Sequence, residues 1–356
     1  MRSHVLPEAP RRPTSHDVAH RAGVSRTTVS LVLNGKRLER IAPATRQRVL
    51  DAAAALGYVP HAAGRSLVSG RTGTLGLVVG HARHLAVDGF LPQVLTALGE
   101  EAHAAGVRVL VDAVDDPARP DAYAQRVRAG QIDGLVVVNP RAPDPALQEL
   151  AASGYPLAVI GRLPGHPELC TADHDDAAGR LIGRHLLRHG RRRVAYLGFA
   201  PAAFRASDDR RAGLRAALRE GGHDLPERAV RHAAFSAESG YRAVAAWLAD
   251  GFAYDALACG NDTIAFGALA ALRDHGRRVP DDVAVVGVDD LPLARFALPR
   301  LTSVRTHAAE HGRRAARAVL ARIDGREPPV EPPLAPRLVV RRSCGAAAPR
   351  PRKEAP

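Results

Sequence analysis

The 356-residue sequence has only three cysteines, Cys170, Cys259 and Cys344, far apart and with no CxxC pair. That excludes a disulfide framework and a structural zinc site, and leaves isolated reduced thiols. No apolar run approaches the roughly 20 residues that a membrane span needs. Where a signal peptide would carry its apolar stretch, the first 30 residues carry Arg11, Arg12, Asp17, Arg21 and Arg26, so the expected location is cytoplasmic. A P-loop, a GxGxxG after a strand, a GxSxG elbow and an HExxH are all missing, and no nucleophile–base set is visible. His185/His189 and His307/His311 have the i,i+4 spacing of a helical metal pair, but no acidic third ligand accompanies them, and Arg-rich solvated helix faces are the plainer account. The expectation is no enzyme activity, no cofactor and no metal.

Lysine is nearly absent, Lys36 and Lys353 being the two, so the net charge of +13 is carried by arginine. It is not spread evenly. Residues 1–70 hold 11 basic against 4 acidic side chains, residues 337–356 hold 6 against 1, and residues 71–336 hold 33 against 32. A basic N-terminal unit on a nearly neutral body is the footprint of a phosphate-binding module joined to a domain of another kind. The basic tail, rich in Pro and Ala, reads as disordered. With 46% apolar and 24% charged residues, the body is a soluble globular chain long enough for two or three compact units.

Residues 14–59 read as three short helices. Thr14 followed by Asp17 is a capping-box start, Val18, Ala19 and Ala22 give one apolar face, and Gly23 supplies the positive-φ stop. Val24 is a buried turn residue and Ser25 caps a second helix. In that helix Val29, Val32 and Leu33 face inward, leaving Arg26, Thr27, Ser30 and Asn34 outward. A third helix is expected from Thr45, with Val49, Ala52, Ala53 and Leu56 on the same core and Gly57 at its end. A tight glycine turn before a short helix with polar donors in its first turn is the geometry of a helix-turn-helix entering a DNA major groove. A plain structural three-helix bundle is the alternative.

The string Asp17-Val18-Ala19, Ala22-Gly23-Val24-Ser25, Thr28-Val29-Ser30, Leu33-Asn34-Gly35 resembles, without a gap, the N-terminal signature of the lactose/galactose-repressor family. That resemblance implies a DNA-facing set of His16, Ser25, Arg26, Thr27, Ser30, Asn34 and Thr45. Arg26 and Thr27 would read base edges, and Ser25 and Asn34 would hold the backbone. Leu31 stands where many members have Arg, so operator preference does not transfer. Residues 60–73 then form a hinge. Its matching segment in the family folds on DNA and inserts paired leucines into the minor groove, and Leu67 takes that position here. Gly64, where members usually carry Ala, raises the cost of ordering it.

From residue 74 the pattern becomes apolar strands at 75–79, 107–112, 135–138, 157–160, 194–197, 256–259 and 283–288. Helical segments at 91–105, 176–189, 208–220, 239–250 and 262–275 alternate with them. Such alternation means parallel sheets covered on both faces, and this length splits into two doubly wound lobes with a cleft beyond the strand ends. The fold class is therefore α/β: a helix-turn-helix unit at 14–59 after a disordered arm at 1–13, then a two-lobed effector-binding and dimerisation domain at 74–342, and a disordered basic tail at 343–356. The motifs Ile132-Asp133-Gly134-Leu135, Arg210-Arg211-Ala212-Gly213, Glu238-Ser239-Gly240-Tyr241, Asn261-Asp262, Val286-Gly287-Val288-Asp289-Asp290 and Leu301-Thr302-Ser303-Val304 follow the order of the same family, whose large domains resemble periplasmic sugar-binding proteins.

By that resemblance Arg210, Asn261 and Asp289 are the polar effector contacts and Phe235 an aromatic that stacks on the ligand; Phe90 is the one ligand neighbour left after the first strand. An Arg fork and an Asp can bracket vicinal hydroxyls, and an aromatic face covers a sugar's C–H side. Asn261 before a helix is also an ordinary N-cap, and Asp289 an ordinary turn residue. The implied function is a transcriptional regulator, a repressor, whose affinity for a near-palindromic operator is set by a small metabolite, a sugar, in a homodimer. A transport-type receptor and an enzyme built on the lobes are the competing classes, and salt-dependent binding to duplex DNA separates them from the first.

Overall fold

The computed structural model describes residues 13–34, 38–59, 70–80, 82–114, 123–141, 143–172, 174–200, 204–251 and 253–345. All of the expected arm but Pro13, most of the expected hinge with Leu67, and the end of the tail lie outside them. The chain divides into two compact units between Thr72 and Gly73.

The first unit holds α1 (Ser15–Ala22), α2 (Arg26–Leu33) and α3 (Pro43–Leu56), with a 3-10 turn at Leu38–Arg40. The capping box forms as the sequence requires: the Thr14 amide donates to Asp17 Oδ2 at 2.7 Å and the Asp17 amide to Thr14 Oγ1 at 3.4 Å. Gly23 closes α1 at φ 64°, in the left-handed region. Val18, Ala19, Ala22, Val29, Val32, Val49, Ala52 and Ala53 make one buried core, with Val24, Leu33 and Leu56 packed on its edge. One boundary is corrected: α3 starts at Pro43, not Thr45, because proline is pre-set for the first helical position and its missing N–H has no partner to lose there.

The second unit carries β1 (Thr74–Val79), α4 (Ala82–Val87), α5 (Phe90–Ala104), β2 (Arg108–Ala113), α6 (Ala124–Arg128), β3 (Gly134–Val138), α7 (Pro145–Ala152) and β4 (Leu157–Ile160). There follow α8 (Asp175–Arg188), β5 (Val194–Gly198), α9 (Arg205–Glu220), β6 (Val230–His232), α10 (Ala237–Ala249), β7 (Ala256–Cys259), α11 (Asp262–Asp274) and β8 (Ala284–Val288). The chain ends on β9 (Thr302–Arg305), α12 (Ala308–Ile323) and β10 (Arg337–Val339).

Two sheets result. One has the order β2-β1-β3-β4, all parallel; the other is β6-β5-β7-β8-β9-β10, parallel except for β10 against β9. The apolar runs are buried on both faces. In β3, Leu135 and Val137 join one core cluster while Val136 and Val138 join the other, which period-two side-chain alternation demands. The chain crosses between lobes three times: after β4, between β9 and α12, and from α12 to β10. Although it follows β9, α12 packs Ala315, Ala316 and Val319 into the core of the first lobe. The expected tail begins later than residue 343. Ser343 and Cys344 are fully buried, with Ser343 Oγ donating to the Val285 carbonyl at 2.6 Å and accepting from the Thr302 amide at 2.8 Å.

Helices α8 and α9 touch backbone to backbone. A Cβ on Gly213 would lie 1.9 Å from the Asp176 carbonyl oxygen, and one on Gly179 2.0 Å from that of Arg210, so this approach fixes where Arg210 sits. Gly99, mid-helix in α5, has nothing within 4 Å of such a Cβ. Gly213→Ala should therefore destabilise by roughly 1–3 kcal/mol or more, since backbone cannot move aside cheaply. Gly99→Ala should instead stabilise by roughly 0.5–1 kcal/mol through lost unfolded-chain entropy. Urea midpoints of the two variants should move in opposite directions from the parent.

Candidate functional site

In the first unit Ser25, Arg26 and Thr27 are exposed at the start of α2 while Val29 and Val32 are buried behind them. Ser25 Oγ accepts from the Thr28 amide at 3.1 Å, capping the helix. Asn34 is likewise engaged: its amide donates to the Ser30 carbonyl at 2.8 Å and to Ser30 Oγ at 3.2 Å. Ser30 and Asn34 thus brace each other at the C-terminal end of α2. His16 is exposed on α1, and Thr45 is half-buried in the first turn of α3. The face therefore presents one guanidinium and small hydroxyls on a helix whose N-terminal end is open.

The second unit builds a cleft where the carboxyl ends of its two sheets converge. A small cavity, open to solvent on one side, is lined by Phe90, Asn139, Ile160 and Gly161 from the first lobe, Asp175 and Arg210 from the second, and Ala172, His174, Thr306, His311, Leu334 and Pro336 from or beside the crossovers. Arg210 is the hub. Its Nε donates to Asp175 Oδ1 at 2.8 Å, its Nη1 to the Gly260 carbonyl at 2.5 Å, its Nη2 lies 3.7 Å from Asp289 Oδ1, and its guanidinium stands 5.1 Å from the Phe199 ring. Burial alone would lower the guanidinium's pKa, but Asp175 and then Asp289 outweigh it and keep the charge.

Burial also pushes Asp289 up to about 6, against Arg210 and the Thr306 hydroxyl that donates to it at 3.1 Å. Asp88, from the first lobe, is pushed up to about 7 by burial and by the Asp289 carboxylate across the cleft, opposed by the Phe90 amide, which donates to it at 3.0 Å, and by Arg210. The ring of His311 is buried, its pKa pulled down to about 4 by that burial, and its Nδ1 has no hydrogen-bond partner. Among the described residues, the non-glycine positions of positive φ are Asn139, Phe235, Asp289, Asp290 and His307, each shortly after a strand's carboxyl end. Backbone strain is thus concentrated at the cleft.

The five expected effector residues separate. Phe90 and Arg210 line the cavity, and Asp289 stands directly behind Arg210. Asn261 is 2% exposed and its Oδ1 accepts from the Ile264 amide at 3.0 Å as the N-cap of α11. Phe235 packs edge-on to Phe204 at 5.1 Å, one layer behind the wall. Sequence reasoning missed Asp88, Asp175, His174, Asn139 and Thr306, and considered His311 only as half of an i,i+4 metal pair. Asp175 had a signal, an acidic residue opening a predicted helix, and the others had none.

The family description "Bacterial regulatory proteins, lacI family" matches residues 14–61, and a periplasmic binding protein-like domain matches residues 184–344. The HTH-type transcriptional regulator CelR of Thermobifida fusca is 35% identical over 341 residues, covering 94% of this chain and 99% of that protein. The chain belongs to the LacI family. Its members' common function, DNA-binding regulation of transcription, is therefore this chain's. A solved complex of CelR with cellobiose is 32% identical with a TM-score of 0.68, covering 93% of this chain and all of that one. A lac repressor dimer bound to operator and the anti-inducer ONPF is 26% identical with a TM-score of 0.81, covering 94% of this chain and 99% of that one. The fold of this LacI-family member, a helix-turn-helix unit and two parallel-sheet lobes, is that of these relatives. No described helix is long and apolar enough to cross a membrane.

The raised carboxyls make stability fall with pH. The folded chain holds the Asp88 proton up to about 7, whereas an ordinary carboxyl near 3.8 in the unfolded chain has already released it. The folded state therefore binds more protons between those values, and stability declines across that window and levels off above it. Asp88→Asn keeps the acceptor for Phe90 and removes the titration. At pH 8 it should be more stable than the parent, by at most about 4 kcal/mol, with the gap closing towards pH 4. Denaturant midpoints at the two pH values check this; a gap that does not change between them refutes it.

Proposed function

We propose that this LacI-family regulator is a repressor that binds a near-palindromic operator as a homodimer and senses a small sugar in the cleft. The observation that carries the ligand reading is the Arg210–Asp175–Asp289 cluster beside Phe90. A fixed guanidinium and acceptor-only carboxylates suit vicinal hydroxyls, and an aromatic ring suits the apolar face of a pyranose. CelR, a relative over nearly its full length, is described with cellobiose, which supports the same class here. Asp289 and Phe90 act from different lobes, so a bound sugar favours one lobe arrangement over another, and by linkage changes operator affinity reciprocally. Arg26 and Thr27 read bases, and Ser25, Ser30, Asn34, His16 and Thr45 serve the backbone or shape α2. Leu67 is the minor-groove wedge. The protein works where DNA is, in the cytoplasm, without catalysis.

Dimerisation has support in an apolar patch after β8: Leu293, Phe296 and Leu298 are 64%, 77% and 87% exposed around the turn at Pro292–Arg295. Exposed apolar side chains gathered this way mark an interface. A thermal-shift screen against neutral sugars, repeated with Asp289→Ala, tests the ligand: a stabilising hit should be lost in the variant. The absence of any hit, or one that survives the change, rejects the reading. Arg26→Ala should weaken binding of a cognate duplex by about 1–3 kcal/mol at fixed salt and relax its specificity, measured by fluorescence anisotropy. Phe296→Asp should shift the sedimentation coefficient to that of a monomer and reduce operator affinity with it; a dimer that persists refutes the assignment of this patch.

A further inference from the structure

Two consecutive residues after β8, Asp289 and Asp290, have positive φ, 107° and 53°. Neither is glycine, so each conformation is costly and persists only because its surroundings impose it. Asp289 turns its carboxylate to Arg210 and to the Thr306 hydroxyl. Asp290 makes neither contact. Its side chain is 2% exposed and is held by two arginines: Oδ2 accepts from Arg305 Nε at 2.9 Å and Nη2 at 2.6 Å, and Oδ1 accepts from Arg341 Nη2 at 2.5 Å.

The two arginines differ in how firmly they are held. Arg305 stands on β9 with its side chain 40% exposed. Arg341 lies two residues after β10, and its side chain is 10% exposed. Its amide donates to Thr302 Oγ1 at 2.8 Å and its Nη1 to the Leu301 carbonyl at 2.8 Å, so backbone and guanidinium are both fixed before Asp290 is met. Water therefore screens the Arg341–Asp290 pair less than the Arg305 pair.

The amides of the turn have partners of their own: Asp290 donates to Ser303 Oγ at 2.9 Å and Leu291 to Asp262 Oδ2 at 2.8 Å. Those bonds place the turn, but they do not compensate the charge on Asp290. Without Arg341, one oxygen of a buried carboxylate would lose its cation, and the side chain could reach water only by rotating the peptide it shares with Asp289. Arg341 also stands at the end of the third passage between the lobes. That passage supplies Leu334 and Pro336 to the cavity wall and runs directly into β10.

We infer that Arg341 is a positioning residue of the effector site. It does not line the cavity; by clamping Asp290 it holds the left-handed turn that aims Asp289 at Arg210 and at a bound sugar. The inference rests on the sugar reading of the cleft and deepens it, because it makes the segment after β10 a determinant of affinity. A movement of the third passage reaches Asp289 through one buried ion pair and one peptide.

Calorimetric titration of the full chain with cellobiose, glucose and galactose compares the parent with Arg341→Gln, Arg341→Lys and Ser343→Ala. Ser343→Ala loosens the same segment at Val285 and Thr302 without removing a contact to Asp290. Arg341→Gln should weaken the sugar that the parent binds by at least about tenfold, and Arg341→Lys, which keeps a cation for Asp290, by only about threefold. Ser343→Ala should lower the urea midpoint and leave sugar affinity at the parent's value. Parent affinity in Arg341→Gln overturns the inference. So does an equal loss in Ser343→Ala, which would reduce Arg341 to a general structural contact. Should Arg341→Gln fail to fold, Arg341→Lys takes its place, and parent affinity there overturns the inference. A crystal structure of the sugar-free Gln variant, or of the Lys variant in its stead, gives a readout independent of any ligand: Asp289 Oδ1 should have moved away from Arg210 Nη2, 3.7 Å distant in the parent. An unmoved Asp289 overturns the inference. If the parent binds none of the three sugars, the sugar reading fails, while that structure still decides whether Arg341 positions Asp289.

Discussion

The placement of the Arg210 guanidinium is the constraint around which the second unit is organised. A buried cation must be compensated, and here the compensation comes from separate parts of the chain: Asp175 at the start of α8, Asp289 after β8, and the Gly260 carbonyl after β7. That demand explains the glycine contact between α8 and α9, since any side chain at Gly179 or Gly213 would force the helix bearing Arg210 away from Asp175. It also explains why Asp289 sits at φ 107°: its backbone is turned so that its carboxylate faces the guanidinium while its amide still donates to the Val304 carbonyl at 2.7 Å. Asp88 adds a carboxyl from the other lobe, and its proton binding follows from meeting Asp289 in the same dry space.

Packing in the first unit follows a simpler rule. Eight apolar side chains from three helices make its buried core, and the caps at Thr14 and Ser25 satisfy amides that this small core cannot. The residues left outward at the start of α2 are then fixed in direction by Val29 and Val32. Of these, Arg26 is the long cation that can reach into a groove, whereas Ser25 and Asn34 are already committed to holding the helix ends. Leu31 is half-buried beside that face.

Local chemistry explains what was legible in the sequence. Thr14 and Asp17 are three residues apart, and Ser25 and Thr28 likewise, so the caps could be read directly and the structure reproduces them. The apolar strands of both lobes were legible because strands buried on two faces are almost uninterrupted. Pro43 was a start signal for α3 that the search for a polar cap passed over. Strand β6, three residues long and only partly buried, has too short a pattern to detect, and α12 carries a clear amphipathic pattern but no local sign that it returns to the first lobe. Ser343 and Cys344 resembled the basic tail around them, and their burial depends on partners at Val285 and Thr302 far back in the chain. The same distance hid most of the cleft: Asp88, Asp175 and His311 meet only once both sheets are formed. Arg210 and Asp289 were identified through resemblance, and Asn261 shows its limit, because its side chain is spent on the cap that the residue type also predicts.

The cavity wall suggests how occupancy is transmitted. All three passages between the lobes contribute to it: Ala172 and His174 from the first, Thr306 from the second, Leu334 and Pro336 from the third. A ligand in the cavity therefore touches the segments whose torsions set the lobe angle, and not merely the two faces that close on it. Here the third passage is proline-rich, which restricts its torsions, and the second holds His307 at φ 59°, a costly conformation for a residue other than glycine. Contacts that differ between two lobe angles are then enough to select one of them, which is the physical requirement for a cleft to govern anything outside itself.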